Sequence, residues 1–200
     1  MQAGGEAGYP LTDDYNGYQQ EGFGKFAMTV KDGVRASTSN AYLRPAMDRP
    51  NLTVVTNTSV QRVVLADGRA TGIAVRGSGG GGEERVIGAR KEVILASGAI
   101  GSPHLLQVSG IGNSETLKEA GIEVKHHLPG VGENLQDHLE VYFQHECTQP
   151  VSLYSSLGVL SKLKIGIEWI LNRTGLGATN HFESVGFIRS DKGVPYPDIQ

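Results

Sequence analysis

The stretch EVILASGAIGSPHLLQVSGIG, residues 92–112, places an apolar, strand-like run directly before a series of small residues and a short helical pattern. Residues 93–95 are typical of a buried parallel strand, and residues 97–99 predict a turn at its carboxyl end. Ser102 and Pro103 are a favourable N-cap and first residue for the helix that follows. The sequence therefore predicts a strand, a small-residue turn and the start of a helix.

This arrangement has two interpretations. In doubly wound folds, a helix N-terminus and bare backbone amides at the carboxyl edge of a sheet hold cofactors, and small residues let a large flat ligand approach closely. A tight packing corner between strand and helix, with no ligand, explains the same residues. The residues by themselves leave both interpretations open.

Composition excludes several classes of partner. The 200 residues carry a net charge of −3 and no basic run, which argues against nucleic acid. The start of the chain lacks a signal-like apolar core, and no stretch approaches the ~20 apolar residues of a membrane span. A single cysteine, Cys147, allows no internal disulfide. The histidines show no second ligand at helical spacing, so no metal site is expected.

Two β-branched runs, residues 52–65 and 70–76, are joined by Ala66-Asp67-Gly68-Arg69, which predicts a hairpin. Strands are expected to continue through residues 83–97. Glycines at 77, 79 and 82 formally match G-x-G-x-x-G, but a strand pattern follows where a dinucleotide fold needs a helix. We interpret this glycine run as a hairpin loop.

Other elements are expected elsewhere in the chain. The expected helices cover Ser39–Met47, SETLKEAG ending at Gly121, and Ser155–Thr174 with one apolar face. The expected strands cover residues 122–128, 139–146 and 180–188.

The pattern Gly98-Ala99-x-x-Ser102-Pro103-x-Leu105-Leu106-x-x-Ser109-Gly110-Ile111-Gly112 resembles the second signature of the glucose-methanol-choline oxidoreductases, FAD-dependent enzymes that oxidise alcohols. GYQQEGFG, AYLRPA, RPNL, LPGVGENLQDH and GATNHFESVGFIRS extend the resemblance over essentially the whole chain, toward the choline dehydrogenase branch. The resemblance implies an α+β fold. Residues 1–138 would be part of an FAD-binding domain with a Rossmann-like sheet and helices, and residues 139–200 the start of a substrate domain on an antiparallel sheet.

The resemblance also implies roles for individual residues. Val60 matches a position that holds the adenine of FAD through its main chain, the turn at 97–102 lines the cofactor, and the loop holding Asn134 and Asp137 returns to the flavin. Glu183 matches a strand position that offers a carboxylate to the trimethylammonium group of choline. The expected cofactor residues are Val60, Ser97, Gly98, Ala99, Ser102, Asn134 and Asp137, and the expected substrate residue is Glu183.

Structural alternatives exist for three of these residues. Asn134 and Asp137 are residue types that commonly satisfy loop backbone amides. Glu183 would also fit an edge strand that points a carboxylate into water. The substrate role is attractive because the permanent charge of choline requires either a carboxylate or aromatic faces.

The resemblance implies that choline is oxidised to betaine aldehyde, a step of glycine betaine biosynthesis, by deprotonation of the hydroxyl and hydride transfer to the flavin. It further implies a membrane quinone as electron acceptor. The expected location is the mitochondrial inner membrane for an animal protein and the inner membrane for a bacterial one. The alternatives are another alcohol as substrate, or a non-catalytic β-rich binding module on the same scaffold.

Two hallmarks of the family match nothing in this sequence. These are the G-x-G-x-x-G strand-to-helix start, which clamps the FAD pyrophosphate, and the catalytic histidine, so no catalytic residue is assigned. We therefore expect an internal fragment in which Met1 is an ordinary internal methionine. We also expect residues 1–200 alone neither to retain stoichiometric FAD nor to oxidise choline.

Overall fold

The computed structural model describes residues 1–77, 79, 82–149 and 151–200. Contacts between Cα atoms divide the chain into two compact units. One unit combines Met1–Leu52 with His145–Gln200, and the other is Thr53–Gln144. The functional domains expected at 1–138 and 139–200 remain a prediction.

The chain contains runs of strands separated by helices, as expected for an α+β protein. The strands are β1 (Gly22–Lys25), β2 (Val30–Lys31), β3 (Val34–Arg35), β4 (Thr58–Ala66), β5 (Arg69–Gly77), β6 (Arg85–Gly88), β7 (Ile111–Gly112), β8 (His126–His127) and β9 (Ser184–Phe187). The α-helices are α1 (Gln2–Glu6), α2 (Arg44–Ala46), α3 (Gly98–Val108), α4 (Ser114–Glu119) and α5 (Val159–Asn172). A π-helical turn at Ser39–Leu43 precedes α2, and 3₁₀ turns occupy Leu153–Ser156 and Gly175–Ala178.

Most strand pairs in the described ranges are antiparallel: β1 with β9, β2 with β3, and β4-β5-β6 in one three-stranded sheet. The short strands β7 and β8 pair in parallel.

The hairpin expected at 66–69 is confirmed. Asp67 and Gly68 have φ values of 51° and 73°, so both central residues lie in the left-handed region that a two-residue hairpin turn requires. A register shift between Val60 and Arg62 interrupts the ladder of β4 with β5. Val63 on β4 and Val75 on β5 are buried and form part of the core of this unit.

The expected helix that ends at Gly121 is also confirmed, as α4. The Asn113 side chain accepts hydrogen bonds from the backbone N–H groups of Glu115 and Thr116, so asparagine supplies the N-cap. At the other end, Gly121 has φ +71°. Its N–H donates to the Lys118 carbonyl, and the next N–H donates to the Leu117 carbonyl, a Schellman ending.

The prediction of a buried parallel strand at residues 93–95 is wrong. These residues are outside any strand, and the Ile94 side chain is 79% exposed. The described residues supply no neighbouring strand, so the backbone groups of 93–95 have no ladder partner. The predicted helix start is also displaced: α3 begins at Gly98, and Pro103 lies inside it.

Two further strand predictions are wrong for the same reason. Residues 139–146 form no strand, and Leu139 and Phe143 are exposed. Of residues 122–128, only His126 and His127 pair, with β7. The glycine match at 77, 79 and 82 includes residues outside the described part, so its expected loop conformation is not tested. The strands on either side of it, β5 and β6, pair with each other.

The long predicted helix is present as α5, although it begins after Gly158 and ends at Asn172, with the left-handed residue Arg173 (φ 57°) as its C-cap. Its apolar side chains are exposed in this structure; these are Leu160, Leu163, Ile167, Ile170 and Leu171. Trp169 lies on α5 and makes two contacts within the same unit. Its indole Nε1–H donates to the Gly33 carbonyl at 2.7 Å, and the Arg173 guanidinium lies 4.1 Å from the ring centroid.

Candidate functional site

The small-residue turn leads directly into α3. Gly98 has φ +81°, a conformation that glycine adopts without strain, and a Cβ added there would meet no atom within 4 Å. The Ser102 hydroxyl oxygen accepts a hydrogen bond from the Ser97 backbone N–H at 3.0 Å. Ser102 thus ties the first turns of α3 back to the residue before the helix, rather than beginning the helix itself.

A glycine-bearing loop, residues 130–136, lies beside α3 in the same unit. Gly132 has φ +85° and Asn134 has φ +56°, so the loop bends twice through the left-handed region. Asparagine tolerates this conformation better than most residues. Val131, directly before these two positions, is buried. The loop therefore has a defined backbone conformation, and the buried Val131 side chain packs it against the rest of the unit.

Helix α3 and this loop form the two walls of an open cleft of about 670 Å³. That volume falls within the ~300–1,000 Å³ typical of sites for small molecules and cofactors. The cleft is lined by residues 99–100, 102–104, 106–107 and 130–136. It brings together Ala99, Ser102 and Asn134, three residues that the sequence assigns to the cofactor.

Three other expected cofactor residues lie next to the cleft rather than on its surface. Ser97 and Gly98 directly precede the lining residue Ala99. Asp137 follows the last lining residue, and its carboxylate accepts a hydrogen bond from the His138 N–H at 2.8 Å. This contact is the local backbone role that the sequence left open for Asp137.

Val60 lies on β4, an edge strand of the three-stranded sheet. It pairs with Val75 on one side and is exposed. Three residues further on, the Val63 N–H donates to the buried Ser109 hydroxyl at 2.8 Å, and this hydroxyl donates to the Leu105 carbonyl at 2.5 Å. The strand that carries Val60 is therefore bonded to the residue that ends the helix following the turn.

One end of the cleft suits an anionic cofactor. The eleven-residue helix α3 presents its N-terminus at that end, where unsatisfied N–H groups and the helix dipole favour negative charge. The ionisable residues that line the cleft are His104 and Glu133. Within residues 1–77, 79, 82–149 and 151–200, no cluster of three His, Cys, Asp or Glu side chains could hold a metal ion.

Glu183 belongs to the other unit, directly before β9, and is exposed. Its carbonyl accepts a hydrogen bond from the Phe26 N–H at 3.4 Å. The Phe26 and Phe182 rings lie 5.5 Å apart. Glu183 therefore follows Phe182 in the sequence and is hydrogen-bonded through its backbone to Phe26, the other ring of this aromatic pair.

One residue of the cleft was not anticipated. The Gln107 side chain donates to the Val131 carbonyl at 3.2 Å and joins the two walls. Its position in the signature-like pattern is one of the variable ones, so the pattern gave no reason to select it.

A turn of small residues at a helix N-terminus, facing a glycine-bearing loop across a cleft of this volume, is an arrangement that α+β proteins use to bind cofactors. Comparison with known proteins narrows that class. The family model described as GMC oxidoreductase matches residues 1–140, and the chain belongs to this family.

Curated relatives align with all 200 residues. The chain is 58% identical to the oxygen-dependent choline dehydrogenase of Photobacterium profundum and spans 35% of that protein. It is 56% identical to the protein of the same name from Vibrio vulnificus, again spanning 35%. These relatives are bacterial, so the expected mitochondrial location has no support. The chain spans about a third of the length of the relatives it matches.

Among solved structures, formate oxidase from Aspergillus oryzae superposes with a TM-score of 0.79 at 25% identity. The match covers 94% of this chain and 32% of the oxidase chain. This likeness and the family match confirm the expected fold class.

Proposed function

We propose that the complete natural polypeptide carrying residues 1–200 is an FAD-dependent oxidoreductase that oxidises choline to betaine aldehyde, a step toward glycine betaine. The observation that carries the proposal is the cleft that brings Ala99, Ser102 and Asn134 together. Membership of the family and the names of the relatives supply the reaction and the substrate.

The residues present fit FAD. A Cβ at Gly98 would meet no atom within 4 Å, so there is open space for a ligand that a branched side chain would enter, and the N-terminus of α3 favours the negative charge of a phosphate. Ala99, Ser102 and Asn134 would hold the cofactor from the two walls, with Ser97, Gly98 and Asp137 shaping the adjoining backbone. Val60 would contribute main-chain contacts from β4. The chemistry that FAD supplies when bound is acceptance of a hydride from the alcohol carbon.

Glu183 would recognise the quaternary ammonium of choline. In the described part of the chain, two ion pairs are present, Arg62 with Glu84 and Arg189 with Glu21, and Glu183 belongs to neither. The nearby Phe26 and Phe182 rings offer aromatic faces, which also attract quaternary ammonium. Exposure of Glu183 fits both this role and a carboxylate that points into water, so the experiment must separate the two.

The proposal extends to electron transfer and location. We propose a quinone-type acceptor and association with the bacterial inner membrane. The relatives are named as oxygen-dependent, which favours oxygen as an alternative acceptor. In the described portion of the chain, no helix has the length and apolar character needed to cross a membrane. Oxygen uptake compared with quinone reduction during choline turnover distinguishes the acceptors.

The test begins with the purified complete polypeptide, which should show flavin absorbance and choline turnover. Glu183→Gln keeps size and removes the charge. Two full charges at ~4 Å attract by about 4 kcal/mol at an effective dielectric near 20, and desolvation offsets part of this. A net loss of about 1–3 kcal/mol raises the choline KM by roughly 5- to 150-fold.

A neutral isostere of choline, 3,3-dimethylbutan-1-ol, should be oxidised almost equally by both forms. Glu146→Gln, another exposed carboxylate of the same unit, serves as the matched control and should leave the choline KM unchanged. Equal losses on the two alcohols would make Glu183 structural. An unchanged choline KM would mean that it faces solvent, and absence of flavin from the purified polypeptide would contradict the function itself.

A further inference from the structure

The two walls of the cleft are joined through the side chain of Gln107. This residue lies in the last turn of α3 and is half-buried. Its amide Nε2 donates to the Val131 carbonyl at 3.2 Å, and Val131 is buried with 9% of its surface exposed. Among the described residues, this is the only side-chain hydrogen bond between α3 and the loop 130–136.

Two glycines leave the space that the Gln107 side chain occupies. A Cβ at Gly132 would lie 2.7 Å from Gln107 Nε2, and a Cβ at Gly112 would lie 3.3 Å from Gln107 Cγ. Both distances are shorter than an ordinary van der Waals contact. The side chain is therefore held in one place by close backbone on either side, with its amide directed at the loop.

Among the backbone bonds of the described residues, those that connect this segment to other elements lie before the loop 130–136. The Leu128 N–H donates to the Gly112 carbonyl, next to the parallel pair β7 and β8. Beyond that point, the Val131 and Glu133 N–H groups donate to the carbonyls of Leu128 and Gly130, within the same short segment of chain. The distance between Asn134 and the wall formed by α3 therefore depends on the bond from Gln107.

We propose that Gln107 is a positioning residue that sets the separation of the two cleft walls, and through it the affinity for the flavin nucleotide. This role rests on the proposed function, because it requires FAD to bind between these walls. The amide acts through the Val131 carbonyl: it fixes the loop so that Asn134 stands opposite Ala99 and Ser102.

The test measures FAD affinity of the complete natural polypeptide after removal of its flavin. Gln107→Met keeps the length and flexibility of the side chain and removes the donor. Loss of one neutral hydrogen bond should weaken FAD binding about 3- to 10-fold, measured by titration with flavin fluorescence. Gln144→Met, an exposed glutamine outside the cleft, is the matched control and should bind FAD as the wild type does. Thermal unfolding of each variant establishes that it is folded.

A second variant separates positioning from general damage. Gln107→Glu has almost the same shape, but its carboxylate cannot donate to a carbonyl, whereas the protonated acid can. Its FAD affinity relative to wild type should therefore recover as the pH falls toward the ordinary glutamate pKa of about 4.3. The ionisable residues His104 and Glu133 also line the cleft and are present in every variant, so the same pH series on wild type and Gln107→Met removes their contribution.

Wild-type affinity in a folded Gln107→Met variant would overturn this role while leaving the proposed function intact. A Gln107→Glu variant whose relative affinity does not change with pH would also overturn it, and this measurement applies even if the methionine variant fails to fold. A wild-type polypeptide that takes up no FAD would contradict the proposed function, and the role of Gln107 with it.

Discussion

Replacing Ser109 with alanine removes the hydroxyl that bonds the end of α3 to β4. Ser109 is 2% exposed, and its Oγ both accepts from the Val63 N–H at 2.8 Å and donates to the Leu105 carbonyl. Alanine leaves the Val63 N–H without its acceptor, in a residue that is 4% exposed. The change therefore tests whether this hydroxyl stabilises the unit that holds the cleft.

The expected cost follows from which partner is left unsatisfied. A buried N–H that loses its acceptor costs about 1–3 kcal/mol. The Leu105 carbonyl loses less, because it also accepts from the Ser109 backbone N–H at 3.2 Å. We therefore expect the free energy of unfolding to fall by about 1–3 kcal/mol, nearly all of it from the Val63 amide.

Urea unfolding of the 200-residue chain measures this loss as a lower midpoint at an unchanged slope. Hydrogen exchange should locate it, because the Val63 amide should exchange roughly 5- to 150-fold faster, about tenfold for each 1.4 kcal/mol. Ser155→Ala, an exposed serine, is the control and should change stability by less than about 0.5 kcal/mol. An equally small change for Ser109→Ala, with Val63 exchange unaltered, would refute the reasoning.

Two further predictions concern the turn and a surface carboxylate. Gly98→Val and Gly98→Ala both place a side chain at φ +81°, which costs about 1–2 kcal/mol. In the complete polypeptide only valine should also abolish flavin absorbance, and normal flavin content in folded Gly98→Val would support a packing corner instead. The Ser190 hydroxyl and N–H donate to the Asp198 carboxylate and hold its pKa below the ordinary value near 3.8. The ionised carboxylate therefore stabilises the fold fully above pH 3.8, and this stabilisation is lost as the pH falls through the lower pKa of the folded state. Ser190→Ala should make the loss of stability in acid smaller, because the folded pKa of Asp198 moves back toward its ordinary value, as measured by unfolding across an acid series; an acid loss as large as that of the wild type would contradict it.

The most accurate predictions from the sequence concern elements that depend on a few neighbouring residues. The hairpin at Asp67-Gly68 and the helix ending at Gly121 both depend on residues that accept a left-handed backbone, and both are present. The start of α3 was misplaced because Ser102 and Pro103 also suit other positions. The Ser102 hydroxyl instead accepts from the Ser97 N–H, one turn before the predicted cap.

The family and the fold class followed from the signature-like pattern, whereas the arrangement inside the cleft did not. Gln107 could not be selected, because its importance depends on the Val131 carbonyl, which is 24 positions away in sequence. Ser109 was part of the pattern, yet its hydrogen bond to β4 emerges only when that strand packs on α3. Such roles depend on residues that are distant in sequence and close in the fold, and the spacing of side chains along one sequence does not predict these contacts.

Strand predictions were confirmed where a partner strand is present and wrong where none is present in the described residues. Side-chain alternation predicts which face of a strand is apolar, but a strand forms only when a second backbone accepts and donates along its edge. β4 has β5 beside it, and its prediction is confirmed. Residues 93–95 and 139–146 have similar apolar character without a neighbour in the described ranges, and none of their side chains is buried. The apolar face of α5 follows the same logic: helical hydrogen bonds are internal, so the helix forms, while its face stays uncovered. Periodicity therefore predicts the sidedness of an element, and only the packing partner determines whether that side is buried.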